Sequence, residues 1–227
     1  MTSRRTNTWV KICGTANLAD AQMSAAAGAD ALGFIFAPSP RQVEVGLAAE
    51  IVAAVSGEVE TIGVFVNESP ARVAEIVHQV GLSGVQLHGD ESAEQLAEFR
   101  RSLGQLKIIK SLQASNLRSD SDLILERYLG AHEQVDAILL DSGSTQERGG
   151  TGLPFDWESA WPIALHIREK MPLIIAGGLN PANVGQAVEL FRPWGVDVVS
   201  GVESEPGKKD EDKLRGFVAA VRQQVLG

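Results

Sequence analysis

One cysteine, Cys13, occurs among the 227 residues. A disulfide framework is thereby excluded, and a lone thiol fits a reducing compartment. Basic residues are also short: 20 lysines and arginines face 29 aspartates and glutamates, a formal net charge of −9. With no basic stripe to neutralise phosphates, nucleic acid is not an expected partner. No apolar stretch approaches the ~20 residues of a membrane span. The polar start, Met1–Asn7, carries Arg4 and Arg5 with no apolar segment behind them. It reads as a frayed tail rather than a secretory signal, and the expected location is the cytoplasm. The spacings of His78, His132 and His166 offer no zinc site, so no metal is expected.

What is present is a core and an alternation. Hydrophobic residues make up 44% of the chain, enough for a full core in one or two domains. Strand-like runs fall at Thr8–Cys13, Ala31–Phe36, Thr61–Val66, Gly84–His88, Lys107–Leu112, Asp136–Asp141, Leu173–Ala176 and Val196–Ser200. Helical patterns fall between them, near Leu18–Ala27, Leu47–Val55, Pro70–Val80 and Ala93–Leu103. They continue near Leu123–Leu129, Trp157–Lys170, Pro181–Leu190 and Asp212–Val225. Val73, Ile76, Val77 and Val80 have the spacing of an amphipathic face, with Gly81 as C-terminal cap. Asn180-Pro181 reads as an N-cap and first-turn pair. Several strands are almost wholly apolar, as expected when both faces are covered. Eight strand–helix units predict a single parallel eight-stranded (β/α)₈ TIM barrel over residues 8–227. A doubly wound sheet usually stops at fewer strands, and no Gly-x-Gly-x-x-Gly follows the first. No domain linker is found; the loosest segments are Gln113–Asp122 and Ser142–Gly152.

Side chains in a barrel alternate between lumen and helix layer. If Val10 and Ile12 face the helices, Lys11 and Cys13 face inward. By the same count Asp141 points inward from strand six, and Gln86 and His88 from strand four. Cys13, Asp141 and His88 then meet near the C-terminal rim, where such barrels place catalytic groups. A thiol and a carboxyl at two strand ends suggest a base and an acid acting on one substrate. A buried packing role for Cys13 is the alternative. Lys11 either lowers the thiol pKa or simply pairs with a carboxylate.

Glycines mark the loops after strands seven and eight: Gly177-Gly178 and Ser200-Gly201. Such loops bind phosphate through backbone N–H groups and a helix N-terminus. Gly178, Ser200 and Gly201 are therefore expected to hold an anion, with a helix start after strand eight adding its dipole. Gly149-Gly150-Thr151-Gly152 lacks the ending of a nucleoside-triphosphate loop and reads as a flap or phosphate-side loop. Lys208–Lys213 reads as a solvated helix start with acids in its first turn. Trp157, Trp161 and Trp194 read as packing residues outside the barrel.

In order along nearly the whole chain, the sequence resembles the phosphoribosylanthranilate isomerases of tryptophan biosynthesis. The resemblance is carried by Val10–Gly14, Gly28–Phe34, Ser39-Pro40-Arg41, Gly63–Asn67 and Val85–Glu91. It continues through Leu140-Asp141, Gly149–Gly152, Ala176–Pro181, Ser200–Glu203 and Pro206-Gly207. It departs at Thr15-Ala16-Asn17, where the family usually has a hydrophobic residue and then threonine, and at Val199, where serine is frequent.

What the resemblance implies is a cofactor-free Amadori rearrangement of N-(5-phosphoribosyl)anthranilate to the 1-deoxyribulose 5-phosphate product. Asp141 would be the general acid and Cys13 the general base, its thiol needing a modest downward pKa shift. Arg41 would bind the anthranilate carboxylate, while His88 and Gln86 would position substrate. The expected partner is a small phosphosugar, and the expected assembly is a monomer or homodimer. The related histidine-pathway isomerase is one rival, but it expects aspartate at Cys13. A non-catalytic phosphosugar-binding barrel is the other, and it expects the acid or base to be lost.

Overall fold

The computed structural model describes residues 8–117, 121–130, 132–141 and 157–223. Expectations for the 1–7 tail, for Ser142–Gly152 and for the Gly149–Gly152 cluster lie outside the described residues. The strands β1 (Trp9–Cys13), β2 (Ala31–Ile35), β3 (Glu60–Phe65) and β4 (Gly84–Leu87) lead the barrel. Those that follow are β5 (Lys107–Gln113), β6 (Ala137–Asp141), β7 (Leu173–Ala176) and β8 (Gly195–Val198). Each pairs in parallel with the next, and β8 returns to β1, closing the sheet. Helices α1 (Leu18–Ala26), α2 (Val45–Ala54), α3 (Pro70–Val80) and α4 (Ala93–Leu103) alternate with the strands. Helices α5 (Ser121–Gly130), α6 (Trp157–Lys170) and α7 (Val184–Phe191) follow, and α8 (Glu211–Gln223) closes the ring.

Helix α3 shows how local chemistry sets the ends. The Ser69 hydroxyl accepts from the Arg72 N–H at 3.3 Å, and Pro70 occupies the first turn. Gly81 ends it at φ 77, a left-handed conformation that donates its N–H back to Val77. The buried face is Val73, Ile76, Val77 and Val80, as the spacing predicts.

Two apolar cores divide the strand residues by parity. Val10, Ile12, Val85, Leu87, Ile138 and Leu140 pack between barrel and helices. Trp9, Ala31, Ile62, Ile109, Leu139 and Ile174 fill the lumen. Trp9 stoppers the lower end: its ring is fully buried, lies 5.0 Å from Trp194, and has Lys107 Nζ 5.1 Å above it. Trp157 and Trp161 pack on Phe191, at 6.0 and 5.9 Å between ring centres.

Three expectations change. The seventh helix starts at Val184, not Pro181. Asn180 caps a preceding turn instead, its side-chain oxygen accepting from the Ala182 N–H at 2.8 Å. Strand eight leads not into a long helix but into a 3₁₀ turn, Ser200–Val202. An antiparallel ribbon of β9 (Glu203–Glu205) and β10 (Lys208–Lys209) comes before α8. Glu211 and Asp212 do sit in the first turn of α8, but Lys209 is buried, because that ribbon folds it beneath the barrel rim.

Candidate active site

At the C-terminal rim the lumen changes from apolar to ionisable. Cys13 and Asp141 end β1 and β6 and are 3% and 8% exposed. Around the sheet they stand three strands apart one way and five the other, across the barrel mouth. The inward register expected for Lys11, Cys13, Gln86 and Asp141 follows from the two cores, since their neighbours Val10, Ile12, Val85, Leu87 and Leu140 all face outward. His88 lies one residue beyond β4, its N–H donating to the Phe65 carbonyl at 2.8 Å.

Beside the thiol a glycine is required. Gly33 pairs with Cys13 across β1 and β2, and a Cβ on it would lie 2.6 Å from Cys13 Sγ and 3.0 Å from Lys11 Nζ. Sulfur and ammonium therefore share the space above one glycine. Lys11 Nζ also donates to Asp197 Oδ1 at 2.8 Å, with both groups buried. Lys11 does both things expected of it: it pairs with a carboxylate and pulls the thiol pKa down.

Burial pushes the Cys13 thiol above its ordinary 9.0; Lys11 and Lys209 pull it down and Asp197 pushes it further up. The expected downward shift is not found, because in this dry site desolvation outweighs the cations. Burial alone would depress Lys11, but the Asp197 carboxylate and Cys13 leave its pKa raised. The signs yield a test. The lone cysteine, labelled with ¹³C at Cβ, should titrate by NMR with a midpoint above 9.0. Lys11→Met should move the midpoint up and Asp197→Asn should move it down; a wild-type midpoint near neutrality would refute this electrostatic picture.

Beside Asp141, Gln86 Nε2 lies 3.0 Å from His88 Nδ1. His88 Nε2 faces Asp141 Oδ2 at 4.0 Å, too long for a hydrogen bond. Burial lowers the His88 pKa despite the carboxylate, so the ring is neutral near pH 7. Behind His88, Lys110 and Glu91 form a buried pair at 2.9 Å. Lys110 also donates to the Gly89 carbonyl at 2.8 Å, while Glu91 accepts from the Asn67 and Gly89 N–H groups. This knot fixes the loop that carries His88.

The loops after β7 and β8 converge. Gly177 and Gly178 adopt φ of 88 and 63, which side chains rarely allow. A Cβ on Gly201 would lie 1.9 Å from the Leu179 carbonyl oxygen. Among the described residues, no group outside their own turn accepts a hydrogen bond from the backbone N–H of Gly178, Ser200 or Gly201. Asn183 Nδ2 pins the first loop through the Gly178 carbonyl at 3.0 Å.

Arg41 is not a solvated loop residue. Its side chain is 12% exposed, and its Nε and Nη2 hold Glu203 at 2.8 and 2.7 Å. Asp197, Glu203 and Lys209 are the site residues that sequence reasoning missed. The signal for Asp197 was there: a carboxylate inside the apolar run Gly195–Val198 must meet a lumen partner. Among the described residues, no cluster of three histidine, cysteine, aspartate or glutamate side chains could hold a metal ion, and no helix is long and apolar enough to cross a membrane.

Comparison with known proteins agrees over the whole barrel. The family model described as N-(5'phosphoribosyl)anthranilate (PRA) isomerase matches residues 10–220. The N-(5'-phosphoribosyl)anthranilate isomerase of Rubrobacter xylanophilus is 42% identical over 214 residues, 94% of this chain and 98% of that protein. That of Pseudomonas aeruginosa is 42% identical over 216 residues, 95% of each chain. The crystal structure of the Thermotoga maritima enzyme superposes with a TM-score of 0.81 at 39% identity, covering 95% of this chain and 99% of that one. A further solved isomerase, 37% identical with a TM-score of 0.78 over 95% and 99% of the two chains, holds reduced 1-(o-carboxyphenylamino)-1-deoxyribulose 5-phosphate.

Proposed function

The chain belongs to the N-(5'-phosphoribosyl)anthranilate isomerase family, and from that premise we propose how it converts N-(5-phosphoribosyl)anthranilate to 1-(2-carboxyphenylamino)-1-deoxyribulose 5-phosphate in tryptophan biosynthesis. One observation supports the reading above the rest: Cys13 and Asp141 face each other across the mouth while two converging glycine loops stand between them on the β7–β8 side. The phosphate rests on the amides of Gly178, Ser200 and Gly201. From there the ribose reaches between base and acid.

Asp141 donates a proton to the furanose ring oxygen; the C1–O bond breaks and the nitrogen lone pair forms the Schiff base. The Cys13 thiolate then takes the proton from C2, and those electrons close the C1–C2 double bond as the iminium becomes an enamine. Tautomerisation of this enolamine gives the ketone. The raised thiol pKa leaves a small thiolate fraction at neutral pH, a cost that the stronger base offsets only in part. Lys11 stabilises the anion while it forms. His88 and Gln86 position the sugar beside Asp141, and the mechanism calls for no cofactor. The histidine-pathway alternative is not favoured, since the base position holds Cys13. The reaction belongs in the cytoplasm, where a thiol base stays reduced, and the working form is a monomer or homodimer.

The test is a fluorescence assay with purified protein and the freshly made anthranilate ribotide. Fluorescence should fall with enzyme-dependent turnover and the ketose product should accumulate. Binding without conversion would leave only the phosphosugar-binding alternative.

A further inference from the structure

Glu203 and Lys209 form a buried ion pair at 3.1 Å, their side chains 3% and 0% exposed. The same carboxylate holds Arg41 by two nitrogens, Nε at 2.8 Å and Nη2 at 2.7 Å. A guanidinium presents two such edges, and this contact uses the inner one. Nη1 and the outer N–H of Nη2 remain as a second fork, and among the described residues nothing accepts from Nη1. The aliphatic stem crosses the turn just past the thiol: a Cβ on Gly14, φ +75, would lie 2.9 Å from Arg41 Cδ. Lys209 Nζ reaches the same place from below, donating to the Cys13 carbonyl at 2.6 Å and the Val199 carbonyl at 3.3 Å. Its own backbone N–H is fixed by Asp20 Oδ2 at 3.0 Å.

The charges explain why two cations are needed. Glu203 fixes the direction of the guanidinium but cancels its charge, so Arg41 alone would offer an incoming anion a neutral pair. Lys209 restores one net positive charge to the cluster, in a site dry enough for that charge to act strongly. We propose that Glu203 and Lys209 are positioning residues that aim the outer edge of Arg41 and keep it electropositive, so that the site selects a substrate whose aromatic ring carries a carboxylate. The inference rests on the phosphosugar reading above and adds the groups that set its aglycone specificity.

Two ligands separate the possibilities: the reduced carboxyphenylamino-deoxyribulose 5-phosphate and its phenylamino counterpart lacking the carboxylate. Their Kd values, measured by calorimetry, give a carboxylate preference for each variant. Lys209→Met keeps the Arg41–Glu203 fork but removes the net charge, and should cut the preference about tenfold. The pair Glu203→Gln/Lys209→Met keeps the net charge on Arg41, strands no buried lysine or carboxylate, and loses the aim; it should cut the preference similarly. In both, affinity for the phenylamino ligand should stay within about threefold of wild type, and adding Arg41→Ala should abolish whatever preference remains. A wild-type preference surviving in Lys209→Met, or equal weakening of both ligands, would overturn the proposal in favour of a structural role. If wild type itself showed no preference, the carboxylate reading of Arg41 would fall with it. A preference lost in Arg41→Ala but intact in both other variants would sink this inference alone.

Discussion

Cys13→Ala and Asp141→Asn are each expected to lower kcat by at least ~10²-fold while leaving substrate affinity within a few-fold, as befits groups that act in the transition state. Both side chains are buried at strand ends, so the substitutions are kept small. Cys13→Ala deletes one sulfur, and Asp141→Asn is isosteric. The environments make the losses differ in kind. In the proposed mechanism loss of the thiol leaves no base beside C2, because Lys11 is held as an ammonium by Asp197. In the same mechanism Asp141→Asn makes the ring oxygen leave unprotonated, and neutral His88 stands 4.0 Å from the position Asp141 Oδ2 would occupy. Rates and affinities of purified variants decide the matter. Near-wild-type turnover in either variant would remove that residue from the mechanism.

Gly201→Ala is expected to lower kcat/KM by about 10²-fold or more. The new methyl would meet the Leu179 carbonyl oxygen at 1.9 Å, and a backbone atom cannot swing away as a side-chain tip would. The loops after β7 and β8 must then part, separating the Gly178, Ser200 and Gly201 amides proposed to hold the phosphate. Hydrogen bonds to a charged group contribute ~1.5–3 kcal/mol each, so losing two accounts for the predicted factor. Gly46→Ala is the control, since nothing lies within 4 Å of a Cβ there, and its kinetics should match wild type. If Gly201→Ala bound inorganic phosphate and turned over normally, the anion would have to sit elsewhere.

The barrel was legible because its strands are nearly unbroken apolar runs whose few polar residues obey parity. Lys11, Cys13, Gln86 and Asp141 stand out against Val10, Ile12, Leu87 and Leu140, so alternation alone turned them toward the lumen. Local caps were also readable where one residue decides them, as at Gly81. Long-range pairing was not. Lys209 in a charged run looks solvated until the β9–β10 ribbon brings it to the Cys13 carbonyl, 196 residues away in sequence. Arg41 likewise looks exposed until Glu203, 162 residues on, takes its fork. The direction of the Cys13 shift is hidden for a related reason: the nearby lysine is visible in sequence, but the depth of burial that outweighs it is not. Asn180-Pro181 reads as a helix start in sequence because capping chemistry looks the same whether a turn or a helix follows.

A crystal structure with the reduced product analogue tests the central claim most directly. The phosphate should lie within hydrogen-bond distance of the Gly178, Ser200 and Gly201 amides, and the aromatic carboxylate on the outer edge of Arg41. Cys13 Sγ should face C2 of the sugar while an Asp141 oxygen faces the oxygen released from the ring. Phosphate bound away from those amides, or a sugar that leaves Cys13 and Asp141 on the same side, would contradict the account.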